Sequence, residues 1–415
     1  MVDPANGLDR EADVLIEDGR VARVESGIGG VAGRVVDARD QLVVPGLVDL
    51  HTHLREPGQE HKEDVASGAR AAAAGGFTTI CCMPNTTPPN DTPAVTELIA
   101  RRAEHVGVRV RPVAAITKGL EGRELCDYGE LRRAGAVAVS DDGRCVMHAG
   151  LMRRALERAA AAGLAVIQHC EDQDLSAGGA MNEGTVSARC GVSAQTWAAE
   201  SVIVARDLEL VQLTGARYHV AHVSTRAALR HLRWAKSAGL PVSCEATPHH
   251  LTLTDEACLS RDPMTKVNPP LRSAGDREAL RQALADGTID AIATDHAPHA
   301  AADKQVEYDR AAFGISGSET AVPLCLALWR EGVVRLDRLV GLLTCNPARA
   351  LCLEAGTLSC GAVADVTVID PERRWTVVPE ELRSRGHNTP FAGWTMRGAV
   401  RLTIVGGEIV FEAER

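Results

Sequence analysis

The chain has 415 residues, of which 45% are hydrophobic and 3% aromatic, and carries a formal net charge of −10. That length suits a large barrel-sized core with a smaller satellite, built from aliphatic and small side chains. The acidic balance (pI about 5.8) and the lack of basic runs argue against a nucleic-acid partner, and no apolar run reaches the ~18 residues of a membrane span. The opening Met1-Val2-Asp3-Pro4-Ala5-Asn6 is polar and unlike a secretory signal. Twelve cysteines are scattered without a CxxC pair, as expected of a reduced cytoplasmic protein with buried thiols.

In chain order, residues 12–24 read as two strands joined at Asp18-Gly19, a strong hairpin signal. Short apolar runs then recur at 47–51, 78–82, 109–115, 135–140, 164–169, 217–222, 241–246 and 290–294. Most are followed by an Ala- or Leu-rich helical pattern, such as Met152–Ala159 or Ala227–Leu232, and the Ala71–Ala74 run reads as a tightly packed helix. Near the C-terminus, 364–370 is a strand and 401–411 a hairpin turning at Gly406-Gly407. Eight strand-then-helix units in series predict a (β/α)8 barrel of the TIM type. The two β-rich ends predict one small β-sandwich made by both termini. The expected division is 1–45 and 356–415 for the sandwich and 46–355 for the barrel.

Metal-capable residues gather at the C-terminal ends of the predicted strands, where barrel enzymes carry their sites. The first strand delivers His51-Thr52-His53-Leu54-Arg55. Residues two apart in a strand share a face, so His51 and His53 can meet one cation, and Arg55 is expected to extend the same face. The fifth strand ends in Gln168-His169-Cys170-Glu171-Asp172, the sixth in His219-Val220-Ala221-His222, and the eighth in Ala293-Thr294-Asp295-His296-Ala297-Pro298-His299. Imidazoles with carboxylates suit Zn²⁺ or another divalent transition metal. The fourth strand adds Asp141-Asp142-Gly143, either a plain Asp-Gly turn or a carboxylate bridging two metals; related barrels place a carbamylated lysine there, and this strand has none. Of the other histidines, His231 reads as helix surface, His61, His105, His148 and His387 lack partner spacing, and His249-His250 can line the pocket.

Longer stretches carry a family likeness. Pro45-Gly46-Leu47-Val48-Asp49-Leu50-His51-Thr52-His53-Leu54-Arg55-Glu56-Pro57-Gly58 resembles the opening signature of the bacterial class I dihydroorotases. So do Gly75–Ile80 followed by Met83-Pro84-Asn85-Thr86, then Lys266–Arg272 and Ala293–His299. The likeness runs from about residue 3 to the C-terminus. It implies that His51 and His53 hold one metal and His169 and His222 a second, with Asp142 rather than Asp141 between them. Asp295 would ligate the first metal and carry the proton. Arg55, Asn85 and His299 would clamp the substrate carboxylate, with His53 also reaching the substrate. Asn268 and the backbone near Phe313-Gly314 would read the ring. The implied reaction is reversible cyclisation of N-carbamoyl-L-aspartate to L-dihydroorotate and water in pyrimidine synthesis. The implied cofactor is Zn²⁺, two per chain, with Mn²⁺ or Co²⁺ as substitutes. A homodimer is usual among such proteins, and association with aspartate transcarbamoylase is known in the family.

Members of that family begin with an extra short strand ahead of the segment matching Val2–Asn6, so either the sandwich lacks an edge strand or the native start lies upstream. Two other functions stay open: another cyclic amidase (hydantoinase, dihydropyrimidinase or allantoinase), or a catalytically silent scaffold for aspartate transcarbamoylase. Arg55, Asn85 and the absent lysine weigh against the first, and the full set of ligand candidates against the second. Segments 172–192 and 300–315 are the candidates for the loop over the site.

Overall fold

The structure, a computed structural model, describes residues 1–30 and 33–414. Eight parallel strands build its centre: β1 (Leu47–Thr52), β2 (Phe77–Cys82), β3 (Arg109–Ala114), β4 (Ala138–Ser140), β5 (Ala165–Gln168), β6 (Tyr218–Val220), β7 (Val242–Ala246) and β8 (Ala291–Ile292). Each pairs with the next in sequence order. The ring closes where the first strand meets the segment after the last, through a parallel bridge between Thr52 and His296 and a His53 N–H donated to the His296 carbonyl at 2.8 Å. A helix follows every strand, from Val65–Ala74 after β1 to Ala321–Arg330 after β8. The fold is therefore the (β/α)8 barrel that the alternating pattern predicts.

Local sequence explains the helices. The helix Arg226–Ser237 starts at Thr225, whose side chain accepts the Ala228 N–H, and this satisfies one orphan donor of the first turn. It buries Ala227, Ala228, Leu229, Leu232 and Ala235, a stripe at helical spacing. The helix Val65–Ala74 is capped by a reciprocal pair, Asp64 with Ser67, and buries Ala69, Ala71, Ala72 and Ala73. Side chains this small let the helix lie close against the strands, as the alanine run predicts.

Six of the eight predicted strands come out shorter, the fourth, sixth and eighth most, and the end of the eighth matters to the site. The eighth was expected over 290–294. It stops at Ile292 because the Asp49 carboxylate takes the Thr294 N–H at 3.0 Å and the Thr294 hydroxyl at 2.5 Å, and Asp295 then leaves the ladder with φ 46°. The fourth was expected over 135–140 and pairs only over Ala138–Ser140. Gly46, just before β1, faces Thr78, whose Oγ1 would lie 2.2 Å from any Cβ there. Only glycine lets the chain enter the barrel at this point.

Both termini contribute to one antiparallel sheet, ordered Glu408–Glu412, Thr395–Val405, Val366–Thr376 and Leu42–Pro45. The N-terminal hairpin, Asp13–Glu17 with Arg20–Glu25, turns at Asp18 and Gly19, both with positive φ. It docks on that sheet through Val21, which packs with Ala364, Val366 and Ile404. Among the described residues no helix is long and apolar enough to cross a membrane. Eight cysteines are buried, but Cys352 and Cys360 are exposed, so the thiols are not uniformly interior as expected.

Candidate metal centre and active site

Six predicted ligand residues converge at the end of the barrel strands. Two groups could each hold a cation: His51, His53 and Asp142, and Asp142, His169 and His222, with the ligand atoms of each group within 4.8 Å of one another. Asp142 belongs to both. His51 Nε2 stands 3.3 Å from Asp142 Oδ1, His53 Nε2 3.4 Å from its Oδ2, and His222 Nε2 and His169 Nδ1 3.6 and 3.8 Å from its Oδ1. Asp295 Oδ1 completes the first group at 3.2 Å from His53 Nε2 and 3.6 Å from His51 Nε2. The neighbouring Asp141 takes no part, since its carboxylate accepts the Ile116 and Thr117 N–H groups at 2.8 and 2.9 Å.

The arrangement fits metal by two tests. His51 Nε2 and Asp142 Oδ1 are buried, face each other and have no hydrogen-bond partner, a costly state unless a cation lies between them. The local field also favours positive charge. Burial would push the His51 imidazole down, yet Asp142, Asp295 and Glu245 hold its pKa well above the ordinary value. Against the same burial, the surrounding histidines hold Asp142 and Asp295 well below the carboxylate range.

Each of three histidines is gripped on its other nitrogen, which fixes the tautomer and aims the free lone pair. His51 donates Nδ1–H to Glu245 at 3.0 Å, His53 has its Nδ1 2.9 Å from Asn85 Oδ1, and His169 donates Nε2–H to Glu171 at 2.6 Å. Glu245 also receives His219 Nε2–H at 3.0 Å. Against burial, His219 and His51 pull the Glu245 carboxyl down to about 2. His219 is therefore a supporting residue, and His222 the one that faces the centre.

Arg55 departs from expectation. It does not extend the His51–His53 face, because β1 ends at Thr52 and Arg55 has φ 61°. The reversal turns its guanidinium toward the eighth-strand loop. There Nε–H donates to the Pro298 carbonyl at 3.2 Å and NH2 lies 3.3 Å from His299 Nε2. Burial and the Arg55 charge push His299 down to about 2, so it is neutral and its Nε2 lies 2.8 Å from the Phe313 carbonyl. His222 and Asp295 also have positive φ. Three site residues thus hold a backbone conformation that costs energy away from glycine.

The predicted ring-reading residues border the same mouth. Asn268 Nδ2–H donates to Glu171 at 2.7 Å, and Gln195 Nε2–H donates to Asn268 Oδ1 at 3.3 Å. Gly314 N–H donates to the Lys266 carbonyl at 2.9 Å, and the Lys266 ammonium sits 4.4 Å over the Phe313 ring. Of the two histidines after β7, His250 is tied to Thr247 and the Pro269 carbonyl. His249 is buried and its Nε2 has no partner. His61, His105 and His387 are exposed, His231 is half-buried, and His148 caps the helix Ala149–Ala161.

Sequence reading missed Glu245, Glu171 and Asn388. A lone carboxylate inside the apolar run 241–246 was the available signal for the first. Glu171 stood in a quoted motif without a role. Asn388, which accepts the His299 N–H at 2.8 Å and donates to the Ala297 and Gly314 carbonyls, lies far along the chain and carried no local signal.

A parallel barrel whose strand ends bring together histidines and aspartates suited to metal is the arrangement of a metal-dependent barrel enzyme, and comparison with known proteins makes that enzyme a cyclic amidohydrolase. The family described as dihydro-orotase-like matches residues 40–228. Over the full chain, a dihydroorotase of Anaeromyxobacter dehalogenans is 55% identical, covering 100% of this chain and 97% of that protein. A dihydroorotase of Syntrophus aciditrophicus is 51% identical, covering 100% and 98%. The chain belongs to the dihydroorotase family. Among solved structures, the L-hydantoinase (dihydropyrimidinase) of Arthrobacter aurescens superposes with a TM-score of 0.89 at 27% identity, covering 100% of this chain and 95% of that one. A dihydropyrimidinase of Brevibacillus agri, at 22% identity and TM-score 0.86 over 99% and 93%, shares the fold.

Proposed function

We propose that the chain interconverts N-carbamoyl-L-aspartate and L-dihydroorotate in de novo pyrimidine synthesis, as a class I enzyme with two divalent ions per chain, zinc by preference and manganese or cobalt as substitutes. The observation that carries this reading is the pair of ligand groups sharing Asp142, in a chain more than half identical to dihydroorotases over its whole length. Bound there, such ions supply a nucleophilic oxygen at neutral pH, by lowering the pKa of water to roughly 7, and polarise the attacked carbonyl.

The remaining chemistry falls to the protein. Asp295, held ionised beside His51 and His53, accepts the proton released as oxygen attacks the ring carbonyl. A C–O bond forms, the ring C–N bond breaks, and Asp295 returns the proton to the departing nitrogen. The reverse sequence closes the ring. Arg55 offers a planar fork to the substrate carboxylate, with Asn85, His53 and neutral His299 as its neighbours. Asn268 and the backbone at Phe313 and Gly314 read the ring amides.

Residues 46–355 are taken as the catalytic barrel, and 1–45 with 356–415 as its satellite. A cytoplasmic location, where unpaired cysteines stay reduced, and a homodimer able to associate with aspartate transcarbamoylase complete the reading; sizing the purified protein with and without the transcarbamoylase tests the association. The deciding experiment is a spectrophotometric assay of dihydroorotate against hydantoin, dihydrouracil and allantoin, with metal content measured on the same sample. Preference for an uncharged ring would replace the substrate assignment. Absence of turnover with no metal uptake would favour a scaffold.

A further inference from the structure

We infer that Glu171 is a positioning residue joining the second metal group to the substrate pocket, an inference that rests on the two-metal reading above. Its Oε2 accepts two hydrogen bonds at once, from His169 Nε2 at 2.6 Å and from Asn268 Nδ2 at 2.7 Å. The carboxylate side chain is only 16% exposed, so water competes little for it.

An ionised carboxylate only accepts, which constrains both partners. His169 must carry its proton on Nε2. Its Nδ1 lone pair then faces Asp142 Oδ1 at 3.8 Å and His222 Nε2 at 2.9 Å, the direction a ligand atom needs. Asn268 must point its NH2 at Glu171, which leaves Oδ1 toward Gln195 Nε2 at 3.3 Å. Gln195 in turn donates to the Gly179 carbonyl at 3.1 Å, and its strand Ala194–Gln195 pairs with Met181–Asn182. One carboxylate therefore fixes the tautomer of a ligand, the amide orientation of a substrate reader and, through Gln195, the seat of the 172–195 loop. The first metal group is arranged differently: Glu245 holds His51 from inside the barrel and has His219 as its other partner, while His53 meets Asn85 directly, with no carboxylate shared between a ligand and a substrate reader.

The test compares E171A and E171Q with the wild type. Zinc titration against a chromophoric chelator should show the second ion bound about 10–100-fold more weakly in E171A, with the first ion unchanged. KM for dihydroorotate should rise with it, since Asn268 loses its orienting acceptor. E171Q, whose amide oxygen still accepts, should recover part of both effects. In the metal-free protein, long-range proton–nitrogen spectra should show His169 protonated on Nε2 in the wild type and a tautomer mixture in E171A. Equal weakening of both ions, an unchanged KM, or an unchanged His169 tautomer in E171A would overturn the inference. A wild type that binds fewer than two ions would sink the two-metal reading instead, and the metal-free spectra would still decide the role of Glu171.

Discussion

The floor and the rim of the barrel mouth are built on different principles. On the floor, ligands stand on or just beyond strand ends, and each of three histidines is braced by a second polar group: His51 by Glu245, His53 by Asn85, His169 by Glu171. On the rim, the residues proposed to face the substrate ride on loops pinned by two buried basic side chains, Lys304 and Arg272. Lys304 donates to the Pro263 and Lys266 carbonyls at 2.9 and 3.2 Å. Arg272 donates to Ser224 Oγ, Asn182 Oδ1 and the Gln195 carbonyl, each at 3.1 Å. In the proposed reaction, the floor sets where reacting charges sit, and the rim sets which molecule sits there. Damage to the floor should appear in turnover and metal content, damage to the rim in KM and loop stability, and damage to Glu171, which is bonded to both His169 and Asn268, in metal content and KM together.

The sharpest way to break this division is D295N. It should keep most of its metal and lose turnover by about 10²–10⁴-fold, the usual worth of a positioned proton carrier; steady-state kinetics with metal analysis on the same sample checks it. Next is E245A, which should weaken the ion held by His51 and His53 about 10–100-fold while KM at saturating metal stays near wild type. A large KM change there would erase the floor–rim distinction. On the rim, R55K should raise KM for carbamoyl-aspartate by about tenfold, because a point charge replaces a two-pronged donor, with kcat little changed.

The smallest effect concerns Lys304, which burial and the nearby Lys266 push down to about 7, against the weaker pull of Asp262 and Asp303. Its pKa is lower folded than unfolded, so between about 7 and 10.5 the unfolded chain binds the extra proton and folding releases it. Its contribution to stability therefore grows as pH rises through that window and is absent from the trend below it. Melting temperature measured across this range should rise less with pH in K304M than in the wild type, and parallel curves would show that Lys304 does not titrate there.

The same division governs what the sequence disclosed. The barrel was legible because strand and helix periods alternate cleanly, and His51 with His53 because two residues two apart on one strand share a face. His169, His222 and Asp295 were legible only as polar residues at the ends of apolar runs. Their mutual approach depends on ring closure, which no local pattern encodes. The facing of Arg55 does not follow from spacing, because a two-residue period holds only while the strand lasts, and β1 stops at Thr52. Choosing Asp142 over Asp141 needed the family likeness, and the contacts of Asp141 with Ile116 and Thr117 give the physical reason. Asn388 could not be seen, since its partners lie about ninety residues away.

The barrel seam has a consequence for how the protein is assembled. His53 and Asp295 lie 242 residues apart in sequence and 3.2 Å apart in space, beside the bridge between Thr52 and His296. No nascent chain can complete the first ligand group until the eighth strand has been made and docked against the first. Filling of the first group therefore comes after the ligands of the second, which end at His222, have all been made, and an ion in the first group would act as a clasp across the longest loop of the barrel. Binding there is coupled to docking of the last strand, because the ligand group exists only in the folded ring, so a chelator should loosen the seam before any other part of the ring.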